Sequence, residues 1–415
     1  MHNIIINNAK IVTPLGEKAR KGSSMSEIHT IENGIIVVTD GIITYVGSIE
    51  EAPHIDNKNY EAIDAQGNVV LPGFVDSHTH LVFGGYRPDE FEWRLKGDTY
   101  MSIMQRGGGI QSTVNSTREE SADQLYDKAQ VFIDKMSAMG VTTVEAKSGY
   151  GLNYETELKQ LEVINRLATA EDQKVGIVST FLGAHAVPKE YAGRTSEYID
   201  MIISDMLPKF KDLAINCDVF CEKNVFELDD SRRLLQAAKE MGYKIKLHAD
   251  EIVTLGGAEL SAELGALSAD HLLHVSDKGI EEMAKNDVVA TLLPLTAFTL
   301  KEPFAPARKF IDAGAAVALA TDLNPGSCFS GSIPLTIALS CIYMKMTIEE
   351  TITALTINGA AALGLADQIG SLEIGKQGNI IILNTDNYNM LPYYVGMNCV
   401  KTTIYRGKIV NENKF

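Results

Sequence analysis

Nine histidines are spread over 415 residues, and five of them, His78, His80, His185, His248 and His271, stand at the ends of apolar runs. The sharpest local pair is His78-Thr79-His80. Alternate residues of a strand point to the same side about 6.5–7 Å apart, so imidazoles at i and i+2 can converge on one metal ion. Two hydrogen-bonded surface histidines would read the same way in isolation. Their place directly after Leu71-Pro72-Gly73-Phe74-Val75-Asp76 favours the metal. His248 is followed at i+3 by Glu251, which pairs a candidate ligand with a candidate proton carrier. Asp322, after Thr321, either caps the next helix or completes the ligand set. Together His78, His80, His248 and Asp322 make a mixed nitrogen and oxygen set, suited to Zn²⁺ or iron (Fe²⁺ or Fe³⁺) and poorly suited to a cation preferring only oxygen. A catalytic ion of this kind keeps one position for water and lowers the pKa of that water to about 7.

Such residues act together only if the chain brings them to one place. From residue 68 onward, apolar β runs alternate with helical patterns, with strands expected at 68–75, 141–146, 174–182, 218–221, 244–247, 266–269, 288–293 and 316–320. Between the first two, Leu125, Ala129, Phe132, Met136 and Met139 recur at spacings of four and three, a helix stripe closed by Gly140. Helices are also expected at 155–168 and 196–213, and another ends at Met241. Eight buried strands in strict alternation predict an α/β fold, a parallel (β/α)₈ TIM barrel. A doubly wound open sheet is the alternative, but no Gly-x-Gly-x-x-Gly follows the first strand. In a barrel the active site lies at the C-terminal strand ends. There stand His78 and His80 (strand one), Lys147 (two), His185 (three), Glu222 (four), His248 to Glu251 (five), Asp270-His271 (six) and Thr321-Asp322 (eight).

The two ends of the chain follow a different period. Short β-branched runs at 4–12, 34–38 and 42–46, with a turn at Asp40-Gly41, are answered by runs at 379–383, 401–405 and 408–410, with a turn at Arg406-Gly407. Neither set makes a stable domain alone, so the termini are expected to meet in one small composite β-sandwich. The expected division is 1–67 and 369–415 for the β-sandwich, and 68–368 for the barrel.

Lys and Arg number 37 against 54 Asp and Glu, a formal charge of −17. That balance argues against nucleic acid or an anionic membrane as partner. No apolar stretch is long enough to span a bilayer and no signal peptide is recognisable, so a cytoplasmic protein is expected. Five cysteines without disulfide spacing read as reduced core residues, and Cys217 with Cys221 lack a second pair for a zinc knuckle.

On these residues the chain resembles the amidohydrolase superfamily, from the Leu-Pro-Gly-Phe-Val-Asp-Ser-His-Thr-His segment through strand eight. Within it, the chain is similar to the imidazolonepropionase family. The blocks that carry this are Arg87-Pro88-Asp89-Glu90-Phe91, Gly97-Asp98-Thr99-Tyr100, Gly107-Gly108-Gly109-Ile110 and Glu145-Ala146-Lys147-Ser148-Gly149-Tyr150-Gly151-Leu152. Leu182-Gly183-Ala184-His185, His248-Ala249-Asp250-Glu251 and Asp322-Leu323-Asn324-Pro325-Gly326-Ser327 match too. The resemblance implies opening of the cyclic amide of 4-imidazolone-5-propanoate to N-formimidoyl-L-glutamate, one metal ion per chain, and a homodimer. It also implies that Arg87, Tyr150 and His185 bind substrate, with Tyr100 a weaker candidate and Asn324, Gly326 and Ser327 supplying polar groups close to the ring.

Ring opening at neutral pH needs a nucleophile, a polarised carbonyl and a proton for the departing nitrogen. Glu251 is the expected proton shuttle, also touching substrate, and Asp322 could share the task. His271 is expected to donate to the carbonyl oxygen as it gains charge. Arg87 offers a planar, bidentate partner for the substrate's carboxylate. Gly107 to Gly109 lack the Gly-Lys-Ser/Thr ending of a P-loop and read better as a lid, while Trp93 reads as packing. Relatives with two metals bridge them through a carboxylated lysine at the end of strand four. Here that strand ends in Cys221-Glu222, with Lys223 next, so a single ion is expected. Two rival functions remain open: a related deaminase of an aminated heterocycle, and a barrel protein that has lost its chemistry and serves in assembly.

Overall fold

The structure, a computed structural model, describes residues 3–54, 57–98, 102, 106 and 108–415. Eight strands form one parallel sheet in chain order: β1 (Phe74–Asp76), β2 (Val141–Lys147), β3 (Gly176–Ala184), β4 (Asn216–Cys221), β5 (Lys244–Ala249), β6 (Ser268–His271), β7 (Val289–Leu292) and β8 (Val317–Leu319). The sheet closes just beyond the strands. Thr79 and Leu323 form a parallel bridge, the Asp322 N–H donates to the His78 carbonyl at 3.0 Å, and the His80 N–H donates to that of Leu323 at 3.0 Å. Asp76 reinforces the seam, its carboxylate accepting the Thr321 N–H at 3.0 Å and hydroxyl at 2.6 Å. The expected (β/α)₈ barrel is therefore present, and its closure sets the residues after β1 beside those after β8.

The apolar run at 68–75, expected as one strand, is two. Val69–Pro72 pairs with Ile4–Thr13 on one side and with Ile380–Leu383 on the other, so it belongs to the sheet of the termini. Gly73 marks the break: a Cβ there would lie 2.2 Å from Thr142 Oγ1, a separation only glycine avoids. Barrel strand β1 begins at Phe74.

Both chain ends contribute to that second, eight-stranded sheet. It curls over on itself, with Ile42 bridging Gln377 and the Ile43 N–H donating to Lys376 at 2.8 Å. Ile4, Ile6, Ile11, Ile36, Val38, Ile380, Ile382 and Ile404 form one core inside the curl. The meeting of the termini is borne out, as one folded sheet around one apolar core.

Two helices differ in detail from their stripes. Ala122–Ala138 opens on a Ser121–Gln124 capping box and buries Leu125, Ala129, Ile133 and Met136. Phe132, expected in that stripe, instead meets Phe83 and Phe329 in an aromatic cluster. The segment expected as one helix over 196–213 is Thr195–Met201, a π-helical stretch Ile202–Met206, then Leu207–Phe210. Pro208 explains the interruption, because it lacks the N–H of a regular turn and its ring crowds the preceding carbonyl.

Candidate metal centre and active site

Barrel closure brings His78, His80, His248 and Asp322 to one buried point. Asp322 Oδ1 lies 3.6 Å from both His78 Nε2 and His80 Nε2, and His80 Nε2 lies 3.4 Å from His248 Nε2. Ligand atoms at about 2.0–2.1 Å around a tetrahedral ion are separated by about 3.4 Å, so this spacing suits such a cation. The chemistry of the donors agrees. Burial pushes His78 and His80 well below the usual histidine range, so both are neutral and offer lone pairs. His78 Nε2 is buried without a hydrogen-bond partner. Asp322 sits in the left-handed region (φ 54°), and its Oδ2 accepts the Thr296 hydroxyl at 2.7 Å, which leaves Oδ1 to face the imidazoles.

The inward faces of β2, β4, β5 and β6 put charge beneath these ligands. In β2 every second residue turns into the barrel, which is how a fully buried strand carries both Glu145 and Lys147. Lys147 Nζ lies 2.6 Å from Asp218 and 2.9 Å from Glu145. Lys246 Nζ lies 3.0 Å from Glu145, 3.6 Å from Asp270 and 2.9 Å from the Ser77 carbonyl. Two of the carboxylates then grip imidazoles: Asp270 Oδ2 stands 2.6 Å from His78 Nδ1, and Asp218 Oδ2 stands 3.1 Å from His248 Nδ1. A proton held at each Nδ1 leaves Nε2 as the lone pair, the tautomer a metal ligand needs. Lys246, Glu145, Asp218 and the role of Asp270 were not found by sequence reasoning. The available signal was a lysine or carboxylate inside otherwise apolar barrel strands.

Above the ligands, Glu251 Oε1 stands 3.5 Å from His271 Nδ1. Burial, then the negative charges of Asp322 and Glu222, push the Glu251 carboxyl up to about 8. Burial raises Asp322 to about 6 and lowers His185 to about 3. Glu222 holds the loop behind Glu251 by accepting the Ile252 N–H at 2.8 Å. Asp250, also left-handed (φ 48°), ties the same loop from below, taking the N–H groups of Leu255, Gly256 and Gly257 on one oxygen and of Ala258 on the other. His185 stacks on His80 at 4.9 Å between ring centroids, and its Nδ1 lies 3.0 Å from the Gly149 carbonyl. His185 and His271 are near enough to be read as ligands, in the trios His80–His185–His248 and His78–His248–His271. The direct contacts of Asp322 with His78 and His80 favour the set that includes the carboxylate.

The remaining expected contacts line the same mouth. Tyr150 lies 5.6 Å from His80 and 5.2 Å from His185, ring to ring, with its phenol pushed upward by burial. Its loop is strung on the helix Tyr154–Ala168: Glu157 accepts the N–H of Gly149, Gly151 and Leu152, and Gln160 accepts that of Tyr150. Asn324 is brought to the rim, but its amide is engaged within its own turn. Its Oδ1 accepts the Gly326 and Ser327 N–H groups at 2.8 Å, and its Nδ2 donates to the Asp322 carbonyl at 2.7 Å. Arg87 packs against Gly326. Tyr100 and Gly107 lie outside the described residues.

A family model described as the Amidohydrolase family matches residues 69–410. The chain is 64% identical over 414 residues to an imidazolonepropionase of Phocaeicola vulgatus, covering 99% of this chain and 100% of that one. It is 65% identical to an imidazolonepropionase of Bacteroides thetaiotaomicron (99% of both chains) and 57% identical to one of Clostridium tetani (100% and 99%). Among solved structures, guanine deaminase of E. coli is similar at a TM-score of 0.73 and 15% identity, with 100% of both chains covered. A triazine hydrolase variant reaches 0.76 at 16% identity, covering 100% of this chain and 95% of that one. At such identities the structural likeness speaks for the fold alone.

Proposed function

This chain belongs to the amidohydrolase family and, within it, to the imidazolonepropionases, and from that premise we propose how its residues open the ring. The reaction is hydrolysis of the cyclic amide of 4-imidazolone-5-propanoate to N-formimidoyl-L-glutamate, a step of histidine degradation. The observation that carries it is near-full-length identity of 55–65% to several imidazolonepropionases.

His78, His80, His248 and Asp322 hold one divalent ion per chain, zinc or iron. When bound, that ion polarises the ring carbonyl and makes water acidic enough to attack at neutral pH. Glu251 takes the proton of the attacking water and returns it to the ring nitrogen as the C–N bond breaks. Its raised pKa suits both halves of that cycle, because a group titrating near neutrality can take and give a proton. Asp322 is the alternative carrier for the second half. His271, neutral and with both ring nitrogens free of hydrogen bonds, donates to the carbonyl oxygen as it gains charge. Arg87 meets the propionate, Tyr150 and His185 enclose the ring, and the turn Asn324 to Ser327 shapes the wall beside Arg87, with Tyr100 assigned here by resemblance alone.

We further propose that the protein works as a homodimer in the cytoplasm. In support of that compartment, all five cysteines are unpaired. No helix among the described residues is long and apolar enough to cross a membrane.

The test is turnover of 4-imidazolone-5-propanoate by the metal-loaded protein, followed as loss of its ultraviolet absorbance. Consumption of an aminated purine or pyrimidine with no effect on the imidazolone would overturn the reading in favour of a deaminase. Inertness of fully loaded protein toward both would favour the assembly role.

A further inference from the structure

The short helix Pro88–Leu95 sends two guanidinium groups to one residue of the turn after β8, Gly326. Arg94, in its last turn, donates from Nη2 to the Gly326 carbonyl at 2.8 Å. Arg87, at its N-terminal boundary, lies directly on the Gly326 backbone: a Cβ added to Gly326 would stand 1.5 Å from Arg87 Nη2. The turn after β8 is thus shaped for Arg87 by the absence of a side chain and anchored by Arg94.

The charges here do not balance. Arg87 is largely buried, with 11% of its side chain exposed, and its Nε has no hydrogen-bond partner. Its nearest carboxylate is Glu90, whose Oε2 lies 3.5 Å from Nη1 and is already engaged by the Gly109 N–H at 3.0 Å. Arg94 forms no ion pair among the described residues. Burial and the neighbouring charge of Arg87 disfavour its cationic form. With one already engaged carboxylate beside Arg87 and none paired with Arg94, this partly desolvated cleft carries excess positive charge among the described residues. An anion placed between them relieves the repulsion and gains charge-assisted hydrogen bonds.

We propose that Arg94 is a positioning residue for recognition of the substrate's carboxylate: by holding the Gly326 carbonyl it seats Arg87, and its charge completes a two-guanidinium anion site. This rests on the reading that Arg87 meets the propionate. The pair also lets a net acidic protein retain an anionic substrate, since its excess positive charge is local and partly desolvated.

The test compares 4-imidazolone-5-propanoate with its carboxamide analogue, which keeps the ring and lacks the charge, in wild type, Arg94→Met, Arg94→Lys and Arg87→Met. Arg94→Met should raise KM for the carboxylate by about tenfold, the scale of one charged hydrogen bond, with kcat little changed and a much smaller effect on the carboxamide. Arg94→Lys, which keeps charge and one donor, should recover part of the loss. Equal losses on both substrates, or no loss on either, would overturn the proposal. Arg87→Met separates the two layers of the inference. If Arg87→Met abolishes the preference for the carboxylate and Arg94→Met leaves it intact, only the role of Arg94 fails. If Arg87→Met itself leaves that preference intact, the underlying reading fails with it.

Discussion

Replacing Lys246 by methionine probes the layer of charge beneath the ligands. Lys246 is fully buried on β5, and its ammonium serves Glu145, Asp270 and the Ser77 carbonyl at once. Methionine fills most of the volume but strips these acceptors of their shared cation. Breaking one side of a buried ion pair costs about 3–5 kcal/mol, because the partner stays behind desolvated. Unfolding entropy of about 2.1 cal/mol/K per residue, scaled to a chain of this size, converts that into a Tm lower by roughly 3–6 °C in the metal-free protein. A second consequence is chemical. Asp270 holds His78 Nδ1, so loosening Asp270 weakens the hold on the His78 tautomer and should reduce metal affinity by about 10–100-fold. Calorimetry of apoprotein and a competition titration with a chelator measure the two effects. Adding Glu145→Gln should recover part of the lost stability, since a neutral partner no longer needs the ammonium. Wild-type Tm in Lys246→Met, or a double variant no better than the two single losses combined, would refute the view that these groups act as one ionic unit.

Three further perturbations address the site itself. Glu251→Gln should keep its metal while losing about 10²–10⁴-fold in kcat. In the wild type kcat/KM should rise with pH as the Glu251 carboxyl, pushed up to about 8 by burial and by Asp322 and Glu222, gives up its proton; a cation on Asp322 moves that limb below 8, and Gln should abolish it. His248→Ala should lose the metal as well as activity, as should chelation of the wild type, with metal restoring only the wild type; metal retained in His248→Ala would show a wrong ligand set. Asp250→Ala should lower activity and stability by releasing four loop N–H groups, whereas Asp250→Asn, which keeps the oxygen serving three of them, should be much milder in both assays.

The parts of the fold that could be read in the sequence are those where periodicity and chemistry coincide. The barrel was legible because its strands are apolar runs, all but the seventh ending in polar residues, and the meeting of His78, His80, His248 and Asp322 was legible because those ends face one mouth. The limits are equally physical. The run at 68–75 is apolar throughout, so nothing in its pattern shows that Val69–Pro72 pairs with the terminal strands and that only Phe74–Asp76 enters the barrel. The π-helical stretch before Pro208 left a signal in that proline, one that a stripe of apolar residues conceals. Asn324 shows a different limit. Its residue type suggests a ligand contact, yet its amide is used inside its own turn, a fact set by backbone geometry rather than by composition. Arg94 looks like any helix-surface arginine until the fold sets Gly326 against it.

The charge of the buried layer bears on how many ions the site holds. Among the charged groups in contact with the ligands or with one another, Glu145, Asp218, Asp270 and Asp322 are four carboxylates against the two ammonium groups of Lys147 and Lys246, a balance of −2 when the histidines serve as neutral ligands. One divalent cation brings that interior to zero. A second would leave it at +2 in a buried, poorly screened region. In relatives with two metals a lysine becomes a ligand only after it is carboxylated and turned into an anion. Here the end of β4 carries Cys221 and Glu222 in place of that lysine, and the lysine of β2, Lys147, is held as a cation by Asp218 and Glu145, whose charges push its pKa up. Metal analysis should therefore return one equivalent per chain, and Lys147→Met, which shifts the interior balance to −3, should bind its ion with altered affinity without admitting a second. Two tightly held equivalents in the wild type would show that the layer does not set the count.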